Sequence, residues 1–116
     1  MHILNKKQSQ EDVKKIAKDL FGDMVKGVVD INKGLLALDA ELHSDLEALL
    51  LENESKQEDL WGINLYPNLS GDDFIEFDSM INIRPSSGNN SRSVDDKNIQ
   101  EKIVLIVKNW IQSNDS

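Results

Sequence analysis

The clearest hydrophobic pattern in the chain follows Ser9. Apolar residues recur there at helical spacing, with charged residues between them: Val13, Ile16, Ala17, Leu20, Phe21, Met24, Val25 and Val28. Ser9 is a favourable N-cap, and Asp12 completes a variant of the capping box. Gly22 and Gly27 weaken such a helix, whereas Gly34 is a suitable stop because glycine accepts a left-handed backbone. The pattern predicts one amphipathic helix that starts after Ser9 and ends at Gly34.

A second amphipathic helix is predicted near the end of the chain. Asp95 is a suitable N-cap, and Val94 and Ile99 stand where a hydrophobic staple requires them. The apolar residues beyond the cap share one helical face: Ile99, Ile103, Ile106, Val107, Trp110 and Ile111. We expect this face to cover the core of the protein.

Strand patterns lie between these two helices. Leu35–Leu38 reads as a buried strand, and residues 60–66 alternate between large apolar and smaller or polar side chains. Residues 75–83 alternate most regularly and are the best strand candidate, which Pro85 ends because proline cannot donate to a ladder. Residues 1–4 are a candidate for a short edge strand.

Residues 41–52 fit two patterns. As a helix, the segment aligns four leucines on one face, and its Leu, Glu and Ala content favours that state. As a strand, it sets His43, Asp45 and Glu47 on one side. Because a turn-like segment at 53–56 and a strand of matching length follow, we favour the strand.

Together these elements predict a single α+β domain over residues 1–116. We expect a two-layer sandwich, in which a mainly antiparallel sheet of three to five strands carries the N-terminal and C-terminal helices on one face. The other face is then solvated or forms an interface. Uncovered edge strands would also allow pairing in a homodimer.

Composition narrows the classes of function. The net charge is −8, from 13 basic and 21 acidic residues, which disfavours binding to nucleic acid. There is no cysteine, so disulfides and thiolate metal sites are excluded. The start of the chain lacks the apolar stretch of a signal peptide, and no run is long enough to cross a bilayer. We therefore expect a cytoplasmic protein without a membrane partner.

The first candidate site is His43, Asp45 and Glu47. An imidazole and two carboxylates on one strand face could carry out general acid–base chemistry. In a helix, His43 and Glu47 still share a face, but Asp45 points elsewhere. The more common explanation for such a pattern is a solvated polar face, and the spacing matches no zinc signature, so we assign no metal.

The second candidate site is the loop that joins Arg84 to Arg92, the two arginines of the chain. A guanidinium suits carboxylate or phosphate, and the loop includes Asn89 and leads into a helix N-terminus, where anions are favoured. Asp95 and Asp96 already supply negative charge there. The alternatives are a small anionic ligand, or a solvated loop in which one arginine pairs with a carboxylate. The loop is neither a Walker motif nor a dinucleotide fingerprint, and the cofactor stays unknown.

Trp61 is the third candidate. Gly62 beside it would leave one face of the indole ring uncovered, which suits a ligand platform. A tryptophan in a strand is more often part of the core. Both interpretations stay open at this stage.

Three motifs together resemble a bacterial family of short proteins of unknown function. They are ELHSD at 41–45, QEDLWG at 57–62, and INIRP at 81–85 followed by Gly88 and Asn89. The chain departs from the resemblance at 38–40 and 53–54, where the family pattern has glycines, so the resemblance does not fix the geometry of these turns, and the departure bears on them more than on membership. The resemblance implies a bacterial, intracellular protein and brings no established activity.

Two hypotheses of function follow from these residues. The favoured one is a non-enzymatic module that binds a partner protein, itself or a small anionic ligand. The alternative is a small metal-dependent or acid–base hydrolase that uses His43, Asp45 and Glu47, with Arg84 holding the substrate. The alternative requires those side chains to converge in one cleft.

Overall fold

The computed structural model describes residues 1–112, which form three α-helices and seven short strands. The helices are α1 (Gln10–Leu20), α2 (His43–Glu52) and α3 (Lys97–Trp110). The strands are β1 (His2–Ile3), β2 (Gln8–Ser9), β3 (Val25–Asp30), β4 (Leu35–Leu38), β5 (Leu60–Leu65), β6 (Ile75–Glu76) and β7 (Ile111–Gln112).

Five of these strands form one antiparallel sheet in the order β1-β4-β3-β5-β6. The central strand β3 pairs with its neighbours so that Val28 stands opposite Ala37 on one side and Gly62 on the other. A separate two-stranded parallel sheet joins β2 to β7, and therefore ties the start of α1 to the end of α3. At the end of α3, Trp110 Nε1 also donates to the carbonyl oxygen of Gly34 at 2.8 Å, which joins α3 to the turn between β3 and β4.

The two faces of the large sheet have separate hydrophobic cores. On one face, β-strand residues such as Val29 and Ile63 pack with Val13 of α1 and with Ile103 and Val107 of α3. This confirms the predicted fold class, with both terminal helices on the same face of a mainly antiparallel sheet. Helix α2, the less favoured of the two alternatives for residues 41–52, covers the other face through a smaller core. No helix within residues 1–112 is long and apolar enough to span a bilayer.

The first predicted helix is right at its start and wrong at its end. The capping box is present: Ser9 N–H donates to Asp12 Oδ2 at 3.0 Å, and Asp12 N–H donates to Ser9 Oγ at 3.0 Å. The helix stops at Leu20 because Gly22 takes a left-handed φ of 89° and donates its N–H to the carbonyl of Ala17. The apolar residues beyond it form β3, whose burial on both sides removes the alternation that identifies a strand.

The preference for a strand at 41–52 is wrong, since the segment from His43 is a helix. Leu46 and Leu50, one turn apart, are fully buried against the sheet. Asn53 satisfies the C-terminal end by donating from Nδ2 to the carbonyl of Leu49 at 2.8 Å. Intrinsic helix propensity and the burial of these leucines therefore both favour the helix. The turn at 53–56, which was the reason for favouring a strand, can follow a helix equally well.

The strand predicted at 75–83 is mostly wrong. Only Ile75–Glu76 pairs with β5, and Met80–Asn82 forms one turn of 3-10 helix. Ser79 Oγ caps that turn by accepting from the N–H of Ile81 at 3.3 Å. A serine that competes for backbone donors in this way breaks a strand, although the alternation of side chains continues through it.

Helix α3 begins one residue later than predicted. Its N-cap is Asp96, whose Oδ1 accepts from the N–H of Asn98 at 2.8 Å. Asp95 instead belongs to the preceding loop, where its carboxylate accepts from Ser91 Oγ at 2.7 Å. The helix keeps its predicted buried face, with Ile103 and Val107 in the core.

Two turns adopt a backbone that favours glycine. Asp39 and Glu54 have φ values of 77° and 72°, in the left-handed region. They lie in the segments 38–40 and 53–54, for which the sequence resemblance implies glycines. A side chain in this region costs about 1–2 kcal/mol relative to glycine. The two turns therefore carry backbone strain.

Candidate functional site

His43 is the first residue of α2 and is buried against the sheet. Its Nε2 lies 2.8 Å from the carbonyl oxygen of Ile63 in β5. Because a carbonyl can only accept, Nε2 carries the proton of the neutral ring and donates it. Burial lowers the pKa of His43, an effect that Lys26 reinforces and that the bond to Ile63 opposes. The folded protein therefore favours a neutral imidazole.

A polar cluster on β5 and β6 lies beside this ring. Asn64 faces the imidazole and donates from Nδ2 to Glu76 Oε1 at 2.8 Å and to the carbonyl of Asp78 at 3.2 Å. Glu76 Oε1 also accepts from the hydroxyl of Tyr66 at 3.0 Å. Within residues 1–112, Asn64 Oδ1 has no hydrogen-bond partner although it is buried. Sequence reasoning missed Asn64, Glu76 and Tyr66, because pairing of β5 with β6 brings them together.

The helix separates His43, Asp45 and Glu47. Asp45 is exposed in the first turn of α2. Glu47 is half-buried and lines a different cleft, together with Arg84. Neither His43 nor Asp45 lines that cleft. The side chains that the sequence grouped on a strand thus lie in three different environments.

The cleft of Glu47 and Arg84 has a volume of about 470 Å³ and lies between α2 and residues 80–87. Glu58 adds a second carboxylate to its wall, and Ser86 and Ser87 add hydroxyl groups. Two acidic residues and one arginine suit a polar ligand with a cationic group better than a simple anion.

Arg84 uses its guanidinium mainly on the protein itself. Nε donates to the carbonyl of Ile81 at 3.2 Å, Nη1 donates to the carbonyl of Glu58 at 3.3 Å, and Nη2 donates to the carbonyl of Leu60. The guanidinium carbon also lies 4.6 Å from the ring centre of Trp61, a cation–π distance. Burial lowers the pKa of Arg84, and the charge of Glu47 opposes this. Arginine remains protonated in proteins, so the charge is kept.

Two asparagines organise the rest of the loop. Asn82 pairs with both backbone groups of Gly62: the N–H of Gly62 donates to Oδ1 at 2.8 Å, and Nδ2 donates to its carbonyl at 2.9 Å. Asn89 donates from Nδ2 to the carbonyls of Asn82 and Ser93 at 2.8 and 2.7 Å, and Oδ1 accepts from the N–H of Asp95 at 2.8 Å. The amide of Asn89 is therefore occupied in shaping the loop.

Arg92 and Trp61 complete the set of predicted binding residues. Arg92 is exposed, and its Nε lies 2.7 Å from Asp78 Oδ1 in an ion pair. Trp61 is only 5% exposed and packs in the core, although its Nε1 has no hydrogen-bond partner in the part of the chain that is described. The loop that was predicted as an anion site thus has Arg84, Asn89 and Arg92 engaged with the protein.

A much larger cleft runs along α3, with a volume of about 1280 Å³. It is called the α3 groove here, and it lies between α3 and residues 69–77. The α3 wall carries Glu101, Val104 and Leu105, and the opposite wall carries Leu69 and Phe74. Leu105 is 68% exposed and Leu69 is 46% exposed. This groove was not predicted from the sequence, because Val104, Leu105 and Leu69 belong to no apolar face in the sequence pattern and come together only in the folded protein.

Charge in the α3 groove is balanced. Lys7 and Lys108 are matched by Asp72 and Glu101. Neither in the groove nor in the rest of residues 1–112 is a group of three His, Asp or Glu side chains close enough to hold a metal ion. The groove is therefore an apolar surface with neutral net charge, in a chain whose overall charge is −8.

The lowered pKa of His43 predicts a pH dependence of stability. Below the ordinary value of 6.5, the unfolded chain binds a proton that the folded protein resists, so the free energy of unfolding falls as the pH falls. Urea unfolding between about pH 7.5 and about pH 5 should show this loss. The variant His43→Gln should have a shallower slope, whereas His2→Gln, which changes an exposed histidine, should match the wild type. Equal slopes for His43→Gln and the wild type would contradict the assignment.

A family model described as "Protein of unknown function (DUF5674)" matches residues 2–110. The chain belongs to this family, and the match covers all three helices and the whole of the large sheet. No curated protein and no solved structure matches the chain.

Proposed function

We propose that this member of the DUF5674 family is a cytoplasmic, non-enzymatic interaction module, and that the α3 groove is its binding surface. The proposal rests on one observation: a large concave surface whose walls expose leucine side chains on both sides. Folding normally removes such side chains from water, and a contiguous apolar patch in a concave place is typical of a binding site.

The other surfaces support binding less well. Arg84 and Asn89 donate to carbonyl oxygens, and Arg92 Nε is paired with Asp78, so an anion would compete with bonds that shape the loop. A small anionic ligand at this loop stays a prediction. Nucleic acid is disfavoured because Lys7 and Lys108 in the groove are offset by acidic neighbours.

Charged substitutions in the groove should weaken the binding of a fluorescent apolar dye such as bis-ANS. We expect Leu105→Glu on one wall and Leu69→Asp on the other to weaken dye binding by about tenfold each, since burying a leucine contributes roughly 1.5–3 kcal/mol. Fluorescence titration at a low protein concentration measures this. The matched control is Leu51→Glu, which changes an exposed leucine of α2 outside the groove. Dye affinity unaffected by both groove variants would contradict the proposal.

A second candidate function is supported by the meeting of Glu47 and Arg84 in one cleft. Here Glu47 would act as the acid or base, and Arg84 would hold the substrate. The candidate is weaker because the cleft excludes His43 and Asp45, the other two residues of the predicted catalytic set.

An interaction module should not hydrolyse small esters or phosphates faster than buffer. Wild-type protein should therefore leave p-nitrophenyl acetate and p-nitrophenyl phosphate at the background rate, as measured by absorbance. A hydrolysis rate that drops about a hundredfold in Glu47→Gln would instead establish the second candidate. The control Glu58→Gln changes the other carboxylate of the same cleft and should keep such a rate.

A further inference from the structure

The charges on the groove side of α3 form a self-complementary pattern. Glu101 and Lys108 are seven residues apart, which is two helical turns, so both face the α3 groove. The midpoint between them falls between Val104 and Leu105, the two apolar residues of the same wall. Neither charge forms an ion pair with another residue in the range 1–112.

Because Glu101 and Lys108 lie at equal distances from this midpoint, the α3 of a second copy complements the first when the two helices run antiparallel. In an antiparallel pair of α3 helices, Glu101 of each copy faces Lys108 of the other, and Val104 faces Leu105. One two-fold axis thus produces two identical ion pairs around an apolar centre, which is the arrangement of an isologous interface. A parallel pair would set like charges opposite each other.

We infer that the α3 groove binds a second copy of this chain, with its α3 antiparallel to the first. The inference rests on the proposed function and names the partner for the same surface. Residues 69–77 of each copy would then contact the outer side of the α3 of the other copy.

The size of the groove agrees with a helical occupant. A helix about 10 Å wide and about 16 Å long, roughly three turns, fills about 1250 Å³. The groove has a volume of about 1280 Å³. It also exceeds the range of about 300–1000 Å³ that is typical for small ligands.

The distribution of charge favours this surface over the rest of the molecule. Two copies that each carry a charge of −8 repel one another. The groove is an exception because its four charged residues cancel. The edge strands of the large sheet, β1 and β6, are two residues long each, which leaves little backbone for pairing between copies.

Charge reversal tests the antiparallel register. Sedimentation equilibrium over a range of concentrations should show a monomer–dimer equilibrium for the wild type. Glu101→Lys and Lys108→Glu should each weaken dimerisation by about tenfold or more, because each sets two like-charged pairs across the interface. The double variant should recover the wild-type dissociation constant, and an equimolar mixture of the two single variants should form a heterodimer.

Two further variants control for other effects. Lys102→Glu reverses a charge on α3 outside the groove and should leave the dissociation constant within about twofold of the wild type, as expected for a rim charge. Leu105→Glu should abolish the dimer. At concentrations where the wild type is also monomeric, the thermal unfolding of the two proteins should match, because the side chain is exposed in the single chain.

The outcomes separate this inference from the proposed function. A wild type that binds the dye in the groove but stays monomeric at every concentration overturns the inference and leaves the interaction module with another partner. A dimer that persists in Leu105→Glu also overturns it. Loss of dimerisation in both single variants without recovery in the double variant excludes the antiparallel register.

Discussion

The side-chain amide of Asn82 pairs with both backbone groups of Gly62, and the outer edge of β5 depends on this contact. β5 pairs along its whole length with β3, but β6 reaches only its last two residues. A buried backbone N–H without a partner costs about 1–3 kcal/mol. Asn82 supplies an acceptor for the N–H of Gly62 and a donor for its carbonyl. Arg84 donates to the carbonyl of Leu60, the next residue of β5 that points to this edge. Two side chains thus take the role of an edge strand.

This contact explains why glycine and asparagine occur together here. A Cβ atom at position 62 would lie 2.5 Å from Cβ and Oγ of Ser79, so the turn at Met80–Asn82 could not approach the strand. The side-chain Nδ2 of Asn89 in turn donates to the backbone carbonyl of Asn82. The segments QEDLWG at 57–62 and INIRP at 81–85, with the following Gly88 and Asn89, therefore meet in space. The structure gives them a role in closing the sheet, and none of their residues lines the α3 groove.

Much of the fold could be predicted from the sequence, and the failures have physical causes. The start of α1 and the position of β4 depend on local signals, a capping box and a short apolar run. β3 and α2 were misread because burial on both faces removes alternation, and because a leucine-rich segment fits both periods. Residues 75–83 keep the pattern of a strand but use Ser79 and Asn82 to end it, which no local signal reveals. The same holds for the site: Asn64 and Glu76 meet only through strand pairing, and the groove depends on how α3 packs.

Backbone amide exchange at Gly62 tests the central contact most directly. The account predicts that this N–H exchanges as slowly as the amides of β5 that bond to β3. In Asn82→Ala, its protection should fall by about tenfold or more beyond any loss shared by the whole domain, as expected for a lost buried hydrogen bond of roughly 1.5 kcal/mol. The exposed control Asn109→Ala should leave it unchanged. The contradicting result is an equal loss of protection at the amides of Gly62 and Ile63 in Asn82→Ala, because Ile63 lies in the same strand, beside Gly62.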